Sequence, residues 1–271
     1  MHSAEGTMIV ILKILVGGYV LMTALLYLFQ DKFIFFPQKK IGFHHDAFTR
    51  YETVIEREGI KLHGWFLNRE ISREKPLIVY FGGNAEEVSG NLTLIDYFET
   101  DSFLFMNYRG YGESEGKPAE KHLSADALFI LDYLINEKNI EVSDIVLMGR
   151  SLGSGVATYV ASKRKVRGLI LVTPFDSLPN VARKHYPIFP VGTLLKHKFN
   201  SVDLAPDIRA PALFLIGNRD NIIPNQSSKN LYQQWGGPKT FVTVNGADHN
   251  TIEQFQQYWE AVNRFLKSLD S

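Results

Sequence analysis

Apolar positions fall into three patterns along the chain, and each predicts a different kind of element. The first is an apolar run from Met8 to Phe29 whose only charge is Lys13. At about 1.5 Å per residue, a helix over this run is about 33 Å long, enough to cross a hydrocarbon layer of ~30 Å. A core helix keeps a polar stripe, and this segment has none. No small-x-small cleavage site follows, because the chain continues as Tyr27-Leu28-Phe29-Gln30-Asp31-Lys32. Residues 1–30 are therefore expected to remain as a transmembrane anchor, not to be removed as a signal peptide. Lys32, Lys39 and Lys40 follow the span and no Lys or Arg precedes Met8. The loop-charge rule then favours a downstream domain facing the cytoplasm, whereas Lys13 acting as the N-terminal positive charge would turn it the other way.

The second pattern is the short, continuous apolar run. Leu77–Phe81 predicts a strand covered on both faces, and Ser102–Asn107, Ile145–Met148, Gly168–Val172, Ala212–Ile216 and Thr240–Val244 predict further strands. A hairpin is expected before them, with Thr53–Glu56 and Leu62–Leu67 paired around Glu58-Gly59. The third pattern is helical spacing, in Asn91–Glu99, His122–Lys138, Leu152–Lys163 and Ile252–Leu269. Strands alternating with helices predict an α/β domain over residues 31–271, with a mostly parallel, doubly wound sheet. One stretch breaks the rhythm. Between Thr173 and Ala212 the chain carries Pro174, Pro179, Pro187, Pro190, Pro206 and Pro211. So long an irregular segment in a compact domain is usually functional, and residues 174–210 read as a small cap over a site.

Composition changes the picture in two places. Lys+Arg and Asp+Glu are both 29, so the net charge is zero and no basic surface for nucleic acid is expected. With no cysteine, the chain has no disulfide, thiolate metal site or cysteine nucleophile. No metal site and no organic cofactor are predicted.

Two Gly-x-Ser-x-Gly matches carry the candidate chemistry. Gly112-Glu113-Ser114-Glu115-Gly116 abuts no strand, and Pro118 follows it closely. Its two glutamates would oppose a developing oxyanion, so Ser114 reads as a loop residue. Gly149-Arg150-Ser151-Leu152-Gly153 instead joins the run Ile145–Met148 to the helical segment from Leu152. Strand, tight turn and helix are the setting that lifts a serine oxygen clear of a sheet edge, which makes Ser151 the candidate nucleophile. A serine hydroxyl needs a base, and the base needs a carboxylate to fix its tautomer. His249 lies in the polar loop after the last strand, at the carboxyl edge of the sheet, while His185 and His197 fall in the cap. Asp220 follows the strand Ala212–Ile216 at the same edge, and Asp176 is the alternative, more simply explained as a helix cap. Backbone N–H groups of Leu152, after the nucleophile, and of Asn84, in Gly82-Gly83-Asn84-Ala85, are the expected oxyanion donors.

With these residues in hand, the sequence resembles the small, N-terminally anchored α/β-hydrolases related to the yeast bud-emergence protein and to animal protein-depalmitoylating thioesterases. The shared landmarks are Phe33–Pro37, Gly83-Asn84-Ala85, Asn107–Gly112, Gly149–Gly153, Asp220–Pro224 and Asp248-His249. The resemblance implies an α/β-hydrolase fold after the anchor. Relatives usually carry His-Gly-Asn-Ala, whereas Gly82 stands at the histidine position here, removing a side chain that buttresses the oxyanion loop. Family members include thioesterases, lysophospholipid hydrolases, esterases and proteins labelled peptidases, so the substrate does not carry over. The expected activity is hydrolysis of carboxylic esters or thioesters of lipid or acylated substrates at a membrane. A serine peptidase is the alternative, and a catalytically dead binding module is a third reading that a complete set of catalytic groups argues against. A long apolar channel would favour acyl chains; a groove with backbone partners would favour peptides.

Overall fold

A computed structural model describes residues 2–39, 46–68, 71–72 and 75–269. The cap and the expected strands all lie within these ranges, while Lys40 lies outside them. Eight strands form one sheet: β1 (Glu52–Arg57), β2 (Ile60–Leu67), β3 (Leu77–Phe81), β4 (Ser102–Met106), β5 (Ile145–Arg150), β6 (Gly168–Val172), β7 (Ala212–Gly217) and β8 (Lys239–Val244). Their order is β1-β2-β4-β3-β5-β6-β7-β8. β1–β2 and β2–β4 pair antiparallel and every other pair is parallel. The expected hairpin turns at Glu58 and Gly59, both at positive φ (55° and 73°), which suits the tight two-residue turn that matches strand twist.

The continuous apolar runs are explained by the layers. Along β3, Leu77, Val79 and Phe81 enter one core, and Ile78 and Tyr80 enter the other. β5 divides the same way, with Ile145 and Leu147 on one side and Val146 and Met148 on the other. The first core is closed by helices α2 (Glu120–Asn136), α3 (Leu152–Ala161) and α5 (Asn225–Gln234). The second is closed by the Val88–Tyr97 segment and α6 (Gln256–Ser268). Burying each Val, Leu or Ile contributes about 1.5–3 kcal/mol, so a strand with both faces covered has no polar position to spare.

Several elements differ in detail from expectation. The helix expected at Asn91–Glu99 is a tighter 3₁₀ segment, Val88–Tyr97, carrying Gly90, Asn91 and Thr93, all weak α-helix formers. The last helix is interrupted: a 3₁₀ turn at Ile252–Gln254 precedes α6, with Phe255 extended between them. α5 has no counterpart in the apolar pattern, since Asn-Gln-Ser-Ser-Lys-Asn-Leu-Tyr-Gln-Gln buries only Leu231 among its large apolar groups. The long apolar helix α1 (His2–Ile34) does not end at Gln30 but runs on to Ile34. It is long and apolar enough to cross a membrane. Residues 174–210, expected as the cap, fold as α4 (Leu178–His185), then single turns at Val191–Leu194, Ser201–Leu204 and Ala205–Asp207.

Candidate active site

The sheet reverses its building direction at β3, which has β4 on one side and β5 on the other. The carboxyl ends of β3 and β5 therefore open a crevice, the place where open α/β sheets bind ligands. Ser151 sits there, at the tip of the turn between β5 and α3, with φ 52° and ψ −117°. A non-glycine residue in such a conformation costs on the order of 1–3 kcal/mol, held in place by what surrounds it. Neighbouring glycines make the turn sterically possible. A Cβ at Gly149 would collide with the Gly153 carbonyl oxygen, and one at Gly153 with that of Phe81.

Three residues far apart in sequence meet at this tip. His249 Nε2 is 3.0 Å from Ser151 Oγ, and His249 Nδ1 is 2.8 Å from Asp220 Oδ2. Ser151 and His249 are buried, and the Asp220 side chain is only 2% exposed. The other Asp220 oxygen accepts N–H bonds from Ile222 (2.9 Å) and Ile223 (2.8 Å), which fixes the carboxylate plane. Such a chain can turn a serine hydroxyl into a nucleophile, because the imidazole takes its proton while the carboxylate holds the ring.

Asn84 lies beside Ser151 and Leu152 in the wall of one cavity. As the first residue of α3, Leu152 has a backbone N–H without an intrahelical acceptor. The turn carrying Asn84 is held from several sides. The Asn84 carbonyl accepts bonds from Tyr111 Oη (2.7 Å) and the Phe36 N–H (3.0 Å), and Asn84 Nδ2 donates to the Ile34 carbonyl (3.1 Å). Glu86 accepts the Gly83 N–H (2.7 Å) and bonds from Tyr80 Oη (2.8 Å) and Asn91 Nδ2 (2.7 Å). Arg150 lies 3.4 Å from Glu86 and also donates to the His249 carbonyl (3.1 Å). Burial works against the charge on Arg150, but Glu86 and Glu253 outweigh it and hold its pKa above the ordinary value. Burial, reinforced by Glu86, raises Tyr80 and keeps it a neutral donor. Glu86, Tyr111 and Arg150 were not singled out from sequence. The available signals were the position of Glu86 next to Gly82–Ala85, of Tyr111 within Asn107–Gly112 and of Arg150 within Gly149–Gly153.

The competing residues lie elsewhere. Ser114 Oγ accepts the His63 N–H (2.9 Å) and donates to the Asn107 carbonyl (3.1 Å), a buried tie between a loop and β2. Asp176 is buried under bonds from Ser177 N–H (2.7 Å), Ser227 Oγ (2.5 Å), Asn180 Nδ2 (2.8 Å) and Asn230 Nδ2 (3.0 Å). It joins the base of the cap to α5, and the cap of α4 is Ser177, not Asp176. His185 bonds the Ile222 carbonyl (2.8 Å), and His197 faces Asp31 (3.0 Å). Among the described residues, one group could hold a cation: His63 Nε2 lies 3.5 Å from Glu52 and 3.4 Å from Glu113. It sits on the antiparallel edge, away from Ser151.

The cavity beside Ser151 has a volume of about 230 Å³. Leu152, Phe175, Val181, Leu195 and Ile223 give it a mainly apolar wall. A parallel-centred sheet, a strained serine turn at its carboxyl edge and a cap above define the class of the α/β-hydrolases. Comparison with known proteins agrees: residues 102–258 match the α/β-hydrolase domain family. The Saccharomyces cerevisiae membrane protein YNL320W is 33% identical, over 94% of this chain and 96% of its own. The Schizosaccharomyces pombe protein bem46 is 28% identical, over 90% of this chain and 88% of its own. The Pyrococcus furiosus esterase Pf2001 superposes with a TM-score of 0.66 at 18% identity, covering 87% of this chain and 97% of that one, which shows the shared fold. The chain belongs to the α/β-hydrolase family.

Proposed function

We propose that the protein is a membrane-anchored serine hydrolase that cleaves carboxylic esters or thioesters through an acyl-enzyme on Ser151. The observation that carries this reading is the unbroken Ser151–His249–Asp220 chain opening on an apolar cavity. Ser151 Oγ attacks the substrate carbonyl while His249 Nε2 takes its proton, and the Asn84 and Leu152 N–H groups receive the oxyanion. His249 then protonates the leaving alcohol or thiol. Water, deprotonated by the same imidazole, releases the acid from Ser151.

The missing histidine at Gly82 is compensated in this scheme. Glu86 holds Gly83 from below, while Tyr111 and the Ile34–Phe36 backbone hold Asn84 from outside. Glu86→Gln places an amide donor among groups that already donate, and so loosens the turn. Misplacing a transition-state donor by about 1 Å costs up to 10²-fold, so kcat is expected to fall about 10- to 100-fold with KM little changed. Steady-state kinetics beside a thermal melt checks this; a lowered Tm with unaltered kcat would leave Glu86 a purely structural role.

α1 would hold the enzyme at the membrane, with the hydrolase domain on the cytoplasmic side. The YNL320W similarity and the length of the apolar helix support anchoring, and Lys32 and Lys39 after the span support the orientation. The deciding experiment labels the full-length protein with a fluorophosphonate and then assays acyl esters, thioesters and short peptides. Labelling at Ser151 with turnover of the acyl substrates is expected; turnover of peptides alone would replace this reading with a peptidase.

A further inference from the structure

The cavity beside Ser151 is not built by the hydrolase domain alone. Leu26, Gln30, Phe33 and Ile34, all on α1, form one side of it. Their position is fixed by the cap. Gln30 is buried, accepting the Lys196 N–H (2.7 Å) and donating to the Leu194 carbonyl (3.3 Å). One turn on, the Ile34 carbonyl is tied to Asn84.

Depth along α1 follows from charge. Asp31 and Lys32 are the first charges after Lys13, which sets the membrane surface near residue 30. Leu26 then lies one turn inside the apolar run and Ile34 one turn outside it. The wall between them rises about 12 Å, from hydrocarbon to the catalytic crevice. The cap follows α1 further, to Tyr19, about 10 Å deeper than Leu26. Tyr19 Oη donates to the Ile188 carbonyl (2.9 Å), and its ring stacks on Phe189 at 5.5 Å. Tyr186 and Ile188 stay exposed at this tip, where water would disfavour them and lipid would not. Pro187 and Pro190 carry no N–H, so the tip brings fewer backbone donors into lipid. An apolar groove of about 310 Å³ follows α1 deeper, between Tyr19, Thr23, Tyr27 and Leu194.

Resting on the acyl-hydrolase reading above, we propose that α1 is a wall of the acyl-chain site as well as an anchor. The substrate is an ester or thioester whose fatty acyl chain already lies in the leaflet and slides between α1 and the cap toward Ser151. A chain entering this way never crosses water, a cost that would grow with every methylene.

The test uses full-length protein in phospholipid vesicles and compares kcat/KM for a dodecanoyl and a butanoyl ester of the same alcohol. Leu26→Trp fills the deep end of the wall and is expected to lower the dodecanoyl-to-butanoyl ratio by about tenfold or more. Leu28→Trp, two residues on at a lipid-exposed position lining neither cavity, is expected to leave the ratio unchanged. Turnover of the short ester reports folded protein in both variants. An unaltered ratio in Leu26→Trp, or equal changes in both, overturns the proposal while leaving the hydrolase reading intact. No turnover of any ester by the wild type would overturn that reading instead. A second arm places a non-exchanging long-chain monoacylglycerol, or an S-acylated peptide with the same chain, in the enzyme's vesicles or in separate ones. Cleavage confined to the enzyme's own vesicles is expected, and the two probes separate a lipid from a peptide source. Equal cleavage in both settings, or none in either, overturns lateral entry.

Discussion

Ser151→Ala is expected to abolish turnover, a loss on the order of 10⁶-fold when a serine hydrolase loses its nucleophile. The variant should fold, because Ser151 Oγ is bonded to His249 and supports no backbone group. Alanine accepts the positive φ at about the same cost as serine. Substrate binding should survive, since the cavity wall is untouched. The matched control is Ser114→Ala. Its hydroxyl satisfies the buried His63 N–H, so removing it should cost about 1–3 kcal/mol of stability. Its rate should stay within a few-fold of wild type, because Ser114 belongs to a different loop cluster from the His249 dyad. Rate assays and thermal melts on both variants decide the matter, and a reversed result would move the nucleophile to Gly112–Gly116.

What was legible in the sequence follows physical lines. Strands buried on both faces announce themselves as continuous apolar runs, because neither face tolerates a polar residue. The elbow was legible because its glycines are forced by contacts within its own short segment and with the neighbouring strand end. His249 and Asp220 were legible through chain order and position at strand ends, which a parallel sheet converts into shared space. α5 was not, because a helix packed mainly through small polar groups such as Ser227 and Ser228 has no apolar stripe to read. Least legible was the seating of α1 on the cap. Tyr19 and Ile188 are separated by 169 positions, and neither segment alone signals its partner. An apolar run long enough to span a bilayer looks the same whether or not its last turns also line a catalytic cavity.

Asp220→Asn is expected to preserve the fold and cost on the order of 10⁴-fold in rate, because the amide imposes the wrong histidine tautomer. The geometry explains why the amide cannot simply rotate to avoid this. One Asp220 oxygen accepts two backbone N–H bonds, from Ile222 and Ile223, and only a carbonyl oxygen can replace it there. The amide nitrogen is thereby directed at His249 Nδ1, 2.8 Å away in the native arrangement. Facing a donor, Nδ1 must give up its hydrogen, and the ring carries its proton on Nε2 instead. Nε2 then donates toward Ser151 and cannot accept the serine proton. Asp176→Asn is the contrasting case. That carboxylate accepts four bonds, from Ser177, Asn180, Ser227 and Asn230, so an amide there sets donor against donor in a structural tie. It should lower the melting temperature and leave the rate per folded molecule within a few-fold. Active-site titration with a fluorophosphonate, used to normalise kcat, separates the two effects. A larger normalised loss at Asp176 than at Asp220 would assign the acid to the end of β6, and the His249–Asp220 contact would then have to be read as structural.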